Sequence, residues 1–406
     1  MAGGIEGERL LTDRTTEDPY PGYHRLRTEA PFFREPRTGA LLLTRYADVA
    51  AALRHPLLSS RGVIDAVVRV PAPLRRIARP VTRALSRQMI FSDPPDHARL
   101  RSLANRAFTP RAVETMRAHI ERIAEELLDA IDGPAPADLI DRYAAPLPIR
   151  VIAEMLGVPL GSRDRIKLWS DDLATFAGGG TGPRWKQVLR GARGAFCLRR
   201  YLRRLIRERR GRPQDDLLGA LIAAEEKGDT LTEEELWANA MLLLFAGHET
   251  TTGLIGNGLL ALLRHPDQLD LLRREPALME SGVEEFLRFD GPVHRIGRVA
   301  KDDLSIGGSP IPAGQAVILG LAAANRDPAQ FPDPDRLDVR RAENRHLAFG
   351  HGIHFCLGAA LARLEGQVAI GAVLRRYPDL RLTGERLVWR RNSTLRGLQA
   401  LPVRLR

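Results

Sequence analysis

One segment constrains the fold more than any other: the helical pattern over residues 231–264. It opens LTEEELW, where Thr232 and Glu235 have capping-box spacing, and continues ANAMLLLFAGHETTTGLIGNGLLALLRH. At roughly 33 residues the helix is about 50 Å long, enough to cross a whole molecule of this size. Its flanks are apolar on almost every face, so its centre is expected to be buried. Yet that centre reads Gly247, His248, Glu249, Thr250, Thr251, Thr252. Glycine in a helix interior costs about 1 kcal/mol. Three consecutive β-branched hydroxyl residues can bond back to the preceding turn and bend it. A carboxylate in apolar surroundings is costly without a partner. Two readings follow. The stretch is a solvated kink or polar helix contact, or it is a distorted turn lining an active site, with an acid beside an alcohol. A zinc-protease reading of His248–Glu249 fails, because HExxH needs its second histidine where this chain has Thr252.

Helical periodicity dominates elsewhere too, as in RAVETMRAHIERIAEELLDAID at 111–132 and the Arg-rich stretch 184–210. Strand-like pieces lie at 31–44, 299–320 and 382–404. Residues 60–90, the Gly-rich AGGGTGP at 177–183 and the Pro/Asp-rich 324–341 read as irregular connections. A long coil held within a compact fold usually has a job. No internal repeat or low-complexity linker divides the chain. The expectation is one mainly α unit with small β elements over 1–406, its first 25 residues loosely ordered.

Composition narrows the function classes. The chain has 406 residues, 44% hydrophobic and 27% charged, as a soluble globular protein with a sizeable core should. Its only cysteines are Cys197 and Cys356, which excludes a disulfide framework and fits a reducing cytosol. The net charge is +11, which invites a nucleic-acid reading. That reading is set aside, because all the basic residues except Lys167, Lys186, Lys227 and Lys301 are arginines spread along the whole chain among acids, with no recognition module. The skew reads as coding bias, although a basic surface can attract an acidic protein partner. The N-terminus lacks the apolar core of a leader peptide. The longest apolar runs, such as MLLLFAG at 241–247, fall far short of the ~18–20 residues that span a bilayer. A cytoplasmic, monomeric protein away from membranes is expected.

The second informative stretch is HLAFGHGIHFCLGAALARLE at 346–365. Cys356 sits in a glycine-studded loop directly before a strong helix pattern. Helix N-termini bias a thiol towards thiolate. Gly350 and Gly352 permit a tight turn and close backbone approach to something flat. A thiolate, such a backbone and the apolar Phe349 suit an axial ligand to haem iron. A buried structural cysteine remains open for Cys356 on the loop alone, and is the reading for Cys197. His346, His351, His354 and Cys356 match no common zinc spacing. GHGIHF lacks the third glycine of a dinucleotide fingerprint and follows no strand. Electrons for a redox iron would therefore have to come from another protein.

FGHGIHFCLG at 349–358 resembles the haem-binding signature of the cytochrome P450 family, FGxGxHxCxG, at every fixed position, from Phe349 and Gly350 to Gly358. AGHETT at 246–251 resembles that family's oxygen-activating helix. EEFLR contains its ExxR element, Glu285 and Arg288. HARLR at 97–101, GRVA at 297–300, the meander-like ANRDP and FPDPDRLDV, and RGLQALPV at 396–403 follow in the family's order.

The resemblance implies a triangular, mostly α domain with haem b between two long helices, and Cys356 as the proximal iron ligand. Ala246 and Gly247 would leave space for dioxygen. Thr250 would hydrogen-bond it and Glu249 would relay protons. His97, Arg101, Arg298 and His354 would meet the haem propionates. Glu285 and Arg288 would pin the meander near the cysteine loop, with Arg336. The implied activity inserts one oxygen atom from O2 into a medium-sized organic substrate, such as a natural product, terpenoid or steroid-like molecule. Electrons would come from a ferredoxin and its reductase, docking near Arg363 and His351. Coupling, desaturation or peroxide-driven oxidation is the alternative among haem-thiolate enzymes, and a non-catalytic haem carrier the alternative outside them. Substrate contacts would come from 62–90, 170–190, 242–250, 293–296 and 392–395. There His294 and Arg295 are unusually polar for a pocket wall, and either line it or face away.

Overall fold

The long helix forms over Glu233–Arg264, unbroken through its polar centre. Its start is locked as the spacing requires. Thr232 Oγ1 accepts from Glu235 N at 3.2 Å, and Glu235 Oε2 accepts from Thr232 N at 2.9 Å. Glu235 also accepts from Arg99 Nη2 at 2.6 Å, on the helix Asp96–Asn105. Burial raises the Glu235 carboxyl, but the Arg99 and Thr232 bonds outweigh it and hold the group below its ordinary value.

The computed structural model describes residues 17–406 except 37, 68–69, 71, 134, 178–182, 213, 215 and 227–230. Around the long helix pack the helices Pro146–Met155, Arg184–Arg210, Met279–Asp290 and Ala359–Arg376. Its small residues let them approach. A Cβ on Gly258 would stand 2.9 Å from Ile370 and 3.1 Å from Phe286. Leu254, Ile255 and Leu259 join Val283, Phe286 and Ile370 in one hydrophobic core. That close packing of apolar surface is the main stabilising term.

The sheets are small. The strands are β1 (Phe32–Arg34), β2 (Leu41–Leu43), β3 (Leu58–Ser59), β4 (Ala137–Asp138), β5 (Arg295–Ala300), β6 (Leu304–Ile306), β7 (Ser309–Ile311), β8 (Ala316–Gly320), β9 (Arg381–Leu382) and β10 (Pro402–Arg404). The largest sheet runs β1-β2-β8-β5-β3. In it β2 lies parallel to β8 with Leu42 opposite Ile318, and β5 lies antiparallel to β8 with Arg298 opposite Val317. This register places Arg298 on the strand that leads from the Met279–Asp290 helix.

Several expectations are corrected. Residues 60–90 are largely helical: Val63–Val67 and Arg75–Ser86 form helices, the second burying Ala78, Val81, Ala84 and Leu85. Pro80 and a run of arginines hide that apolar stripe from a pattern reading. The segment 111–132 is two helices, Pro110–Glu114 and Arg117–Asp129. The N-terminal stretch is ordered by Tyr20: the helix Tyr20–Glu29 buries Tyr20, Tyr23 and Leu26. Tyr20 Oη donates to Asp290 at 2.7 Å and Arg27 Nη1 donates to Ala323 O at 2.8 Å. Residues 1–16 and most of the Gly-rich patch at 177–183 lie outside the described residues.

The meander at 324–341 is coil, as expected, and its anchor is the fully buried pair Glu285–Arg288. Arg288 Nε and Nη2 donate to the two Glu285 oxygens at 2.7 and 2.8 Å. Its remaining donors reach Asn325 O at 3.0 Å, Pro334 O at 2.7 Å and Arg336 O at 3.1 Å. The third charged member is Arg341, whose Nε lies 3.2 Å from Glu285, whereas Arg336 contributes only its carbonyl. Replacing Arg288 by Met would leave the Glu285 carboxylate without its bidentate cation and the carbonyls of Asn325, Pro334 and Arg336 without these donors. Removing one partner of a buried pair costs about 3–5 kcal/mol. A urea unfolding midpoint unchanged in Arg288→Met would show that the pair does not hold the meander.

Candidate functional site

The cysteine loop is built by hydrogen bonds that only glycine geometry allows. Gly350 and Gly352 sit at φ +70° and +73°, in the left-handed region. Gly350 N donates to Leu347 O at 2.8 Å, Phe355 N to Gly352 O at 3.0 Å, and Cys356 N to Phe349 O at 2.9 Å. Cys356 then leads through Gly358 into the helix Ala359–Arg376. Burial pushes its thiol up, opposed by the Gly358 N–H and by the charges of Arg101 and Arg363. Without a cation at the sulfur, burial opposes the thiolate that the helix start favours. A metal cation at the sulfur supplies the opposite charge that an ionised thiol needs there.

Arg363 does not stand free for a partner, as first expected. It donates to both Glu284 oxygens at 2.6 and 2.8 Å and lies over the Phe349 ring at 4.5 Å. Burial raises the Glu284 carboxyl, but Arg363 and His346 bring it down to about 2. The Arg363–Glu284 pair thus braces the loop from below.

His97, Arg101, Arg298 and His354 come together next to this loop, two guanidiniums with two imidazoles. The His97 and His354 rings lie 4.2 Å apart, tilted by 56°. His354 Nε2 meets Ser60 Oγ at 3.0 Å, and Ser60 N donates to Asp93 at 3.0 Å. Burial, then Arg298 and His97, pull His354 down to about 3; burial, then Arg101, lower His97. Arg298 is buried and is lowered to about 10 by that burial. Its guanidinium bonds only its neighbour's carbonyl, Gly297 O at 2.8 Å. Neither Arg101 nor Arg298 forms an ion pair among the described residues. A buried guanidinium and a half-buried one, neither in an ion pair among the described residues, leave a place for anions. The two propionates of haem supply that charge, so the residues fit the group.

On the long helix, Phe245, Ala246, Gly247 and Thr250 keep accessible surface while residues 251–262 are all buried. Thr250 stands one turn from Ala246, so the two share a face that borders open space. Thr250 Oγ1 donates to Ala246 O at 2.9 Å, and Thr251 Oγ1 to Gly247 O at 3.3 Å. The hydroxyls bond back to the preceding turn as expected, but the helix carries on without a break. A Cβ at Gly247 would stand 2.8 Å from Ile152, so the glycine admits the Pro146–Met155 helix.

Glu249 is buried and points into a charge cluster. Arg390 Nη1 donates to it at 2.6 Å, His248 Nε2 lies at 3.6 Å, and Asp171 Oδ1 is 3.8 Å from the same Arg390 atom. Burial raises both carboxyls. His248 and Arg390 outweigh it at Glu249, which is held low, while Asp171 is raised by burial and by Glu249. Asp171, Arg390, Glu284 and the role of Arg363 carry no local sequence signal. His294 and Arg295 face away from the pocket: Tyr23 Oη lies 3.2 Å from His294 Nδ1 and 3.1 Å from Arg295 Nη2.

Comparison with known proteins agrees with this geometry. The sequence model of the family described as Cytochrome P450 matches residues 197–379. The vitamin D(3) 25-hydroxylase of Pseudonocardia autotrophica is 45% identical, over 98% of this chain and 97% of its own. The 6-deoxyerythronolide B hydroxylase of Saccharopolyspora erythraea is 42% identical, over 98% of each chain. The solved structure of the tirandamycin C-bound monooxygenase TamI superposes with a TM-score of 0.88 at 43% identity, covering 98% of this chain and 99% of that one.

The unpaired Arg298 generates a test. A buried charge-assisted hydrogen bond contributes about 1.5–3 kcal/mol, so Arg298→Met should speed haem loss by roughly 10–150-fold. Transfer of haem to an excess of apomyoglobin measures it. Loss at the wild-type rate would remove Arg298 from the propionate site.

Proposed function

The chain belongs to the cytochrome P450 family, and from that membership we propose that it oxidises a bulky, largely apolar natural product or steroid-like molecule with electrons from a ferredoxin and its reductase. It is a haem-thiolate monooxygenase. The observation that carries the reading is the glycine-turned cysteine loop set beside Arg101 and Arg298, two guanidiniums with no ion pair among the described residues. The relatives support the substrate class: a vitamin D(3) 25-hydroxylase, a 6-deoxyerythronolide B hydroxylase and a tirandamycin C-bound monooxygenase. Two unpaired cysteines support a reducing compartment. We place the enzyme in the cytoplasm, working as one monomeric unit.

Haem b held by Cys356 supplies the redox chemistry that splits dioxygen and transfers one oxygen atom. The chain supplies the rest. Phe349, Gly350 and Gly358 shape the thiolate loop, and Glu284 and Arg363 hold it in place. His97, Arg101, Arg298 and His354 hold the propionates. Ala246 keeps the distal face open, and Thr250 Oγ1 presents a hydroxyl there. That hydroxyl can donate to oxygen while accepting a proton from solvent. Glu249 stays ionised under Arg390 and His248, so it takes up a proton only when that grip relaxes. It gates delivery rather than storing the proton.

The first test concerns the ligand. Reduced, carbon monoxide-bound enzyme should show the absorption band of thiolate ligation. Cys356→His should abolish the band, and Cys197→Ser should keep it. A band surviving in Cys356→His would sink the assignment. A screen of candidate substrates by their shift of the Soret band then identifies what binds.

The second concerns the distal pair. Positioned proton transfer typically contributes 10²–10⁴-fold. Thr250→Ala should keep fold, haem and substrate affinity but divert reducing equivalents into hydrogen peroxide. Glu249→Gln should slow turnover more than it uncouples. Product and peroxide formed per electron are the readout. Full coupling in Thr250→Ala would assign the donor to another hydroxyl.

A further inference from the structure

Far from the cysteine loop, the helix Arg75–Ser86 lies against the helix Arg184–Arg210 and the start of the long helix. Between them runs a groove of about 260 Å³ with a one-sided charge. Arg76, Arg79, Arg83 and Arg87 line one side and Arg199 the other, against the single carboxylate of Glu234. Glu234 is already engaged, accepting from Arg83 Nη2 at 3.1 and 3.2 Å with Arg87 Nε at 3.8 Å. Arg76 and Arg79 are exposed and form no ion pair among the described residues. Arg199 lies 5.0 Å over the Trp237 ring, and both its Nε and Trp237 Nε1 are buried without a hydrogen-bond partner.

The arginines at 76, 79, 83 and 87 recur at helical spacing, so they form one row roughly 16 Å long. A single small anion would engage two or three guanidiniums. A row of that length matches carboxylates repeated along another helix. Beside it runs an exposed apolar stripe. Trp185, Leu189 and Phe196 fall within about 40° around their helix, and they are 50%, 43% and 66% exposed. Phe196 sits one turn before Arg199. Exposed aromatics continuous with unpaired arginines are the composition of a recognition surface.

We propose that this groove docks an acidic amphipathic helix of a protein partner, glutamates or aspartates on the arginine row and apolar side chains on the Trp185–Phe196 stripe. No residue of the groove belongs to the cysteine loop or to the elements bracing it, so this partner is not the electron donor. Of the elements that form the groove, the helix Arg75–Ser86 lies within a segment expected to supply substrate contacts.

The test uses the full, haem-loaded enzyme and a fluorescein-labelled, stapled helical peptide with glutamates on one stripe and leucines on the next. Anisotropy should show binding that weakens as salt shortens the screening length below ~8 Å. Arg76→Glu with Arg79→Glu should weaken it at least about tenfold, a loss of ~1.4 kcal/mol. Arg212→Glu with Arg381→Glu, an equal change of charge elsewhere, should leave it within about twofold. Equal binding by the groove variant, or equal loss in the control, would overturn the proposal. Displacement by tripolyphosphate at equal charge concentration would assign the groove to a small anion instead. Reduction of the haem by ferredoxin should proceed at the wild-type rate in the groove variant. A matching fall in that rate would make the groove the electron donor's dock and also overturn the proposal.

Discussion

The cysteine loop depends on a salt bridge that never touches it. Arg288 has five N–H donors, and Glu285, Asn325, Pro334 and Arg336 accept all of them. Glu285 in turn accepts from Asp338 N, Arg341 and Asn344. A buried ion pair recovers its desolvation cost only when every remaining donor and acceptor is satisfied. Here satisfaction requires the coil at 325–344 to wrap the pair in one conformation. Asn325, fixed through its carbonyl, offers its side-chain oxygen to Leu347 N at 2.7 Å, and Leu347 O receives Gly350 N. The line from a buried guanidinium to the left-handed glycine before Cys356 is three hydrogen bonds long.

Such long-range dependence separates what was legible in the sequence from what was not. The capping box at Thr232 and Glu235, the glycine turn before Cys356 and the strand pairs near 31–44 and 299–320 are local patterns, and they form as read. The cluster of His97, Arg101, Arg298 and His354 was legible through family motifs, each member lying in its own short signature. Arg390 and Asp171 are far apart in sequence and meet at Glu249 only through the fold. In a chain so rich in arginine, no pattern marks which one turns inward. The contact of Gly247 was hidden for a related reason: what a glycine makes room for depends on its neighbour across the contact, and Ile152 belongs to another helix. Helix Arg75–Ser86 was missed because Pro80 and four arginines mask four buried apolar positions.

Electrostatics shapes the two faces of the site differently. On the cysteine side, burial disfavours the ionised thiol, and the nearby cations recover only part of the cost. On the distal side, Glu249 is held ionised by Arg390 and His248 while Asp171 is driven towards its neutral form. Two carboxyl groups around one guanidinium are pushed in opposite directions, Glu249 down and Asp171 up.

The bond between Arg99 and Glu235 gives the start of the long helix a mechanical meaning. Arg99 lies on the same helix as His97 and Arg101, two members of the cluster beside the cysteine loop. Glu235 is at once the partner of Arg99 and the reciprocal half of the Thr232 cap. Glu235 thus ties the first turn of the long helix to the helix that carries His97 and Arg101, so a change at this one carboxylate is felt by both faces of the site.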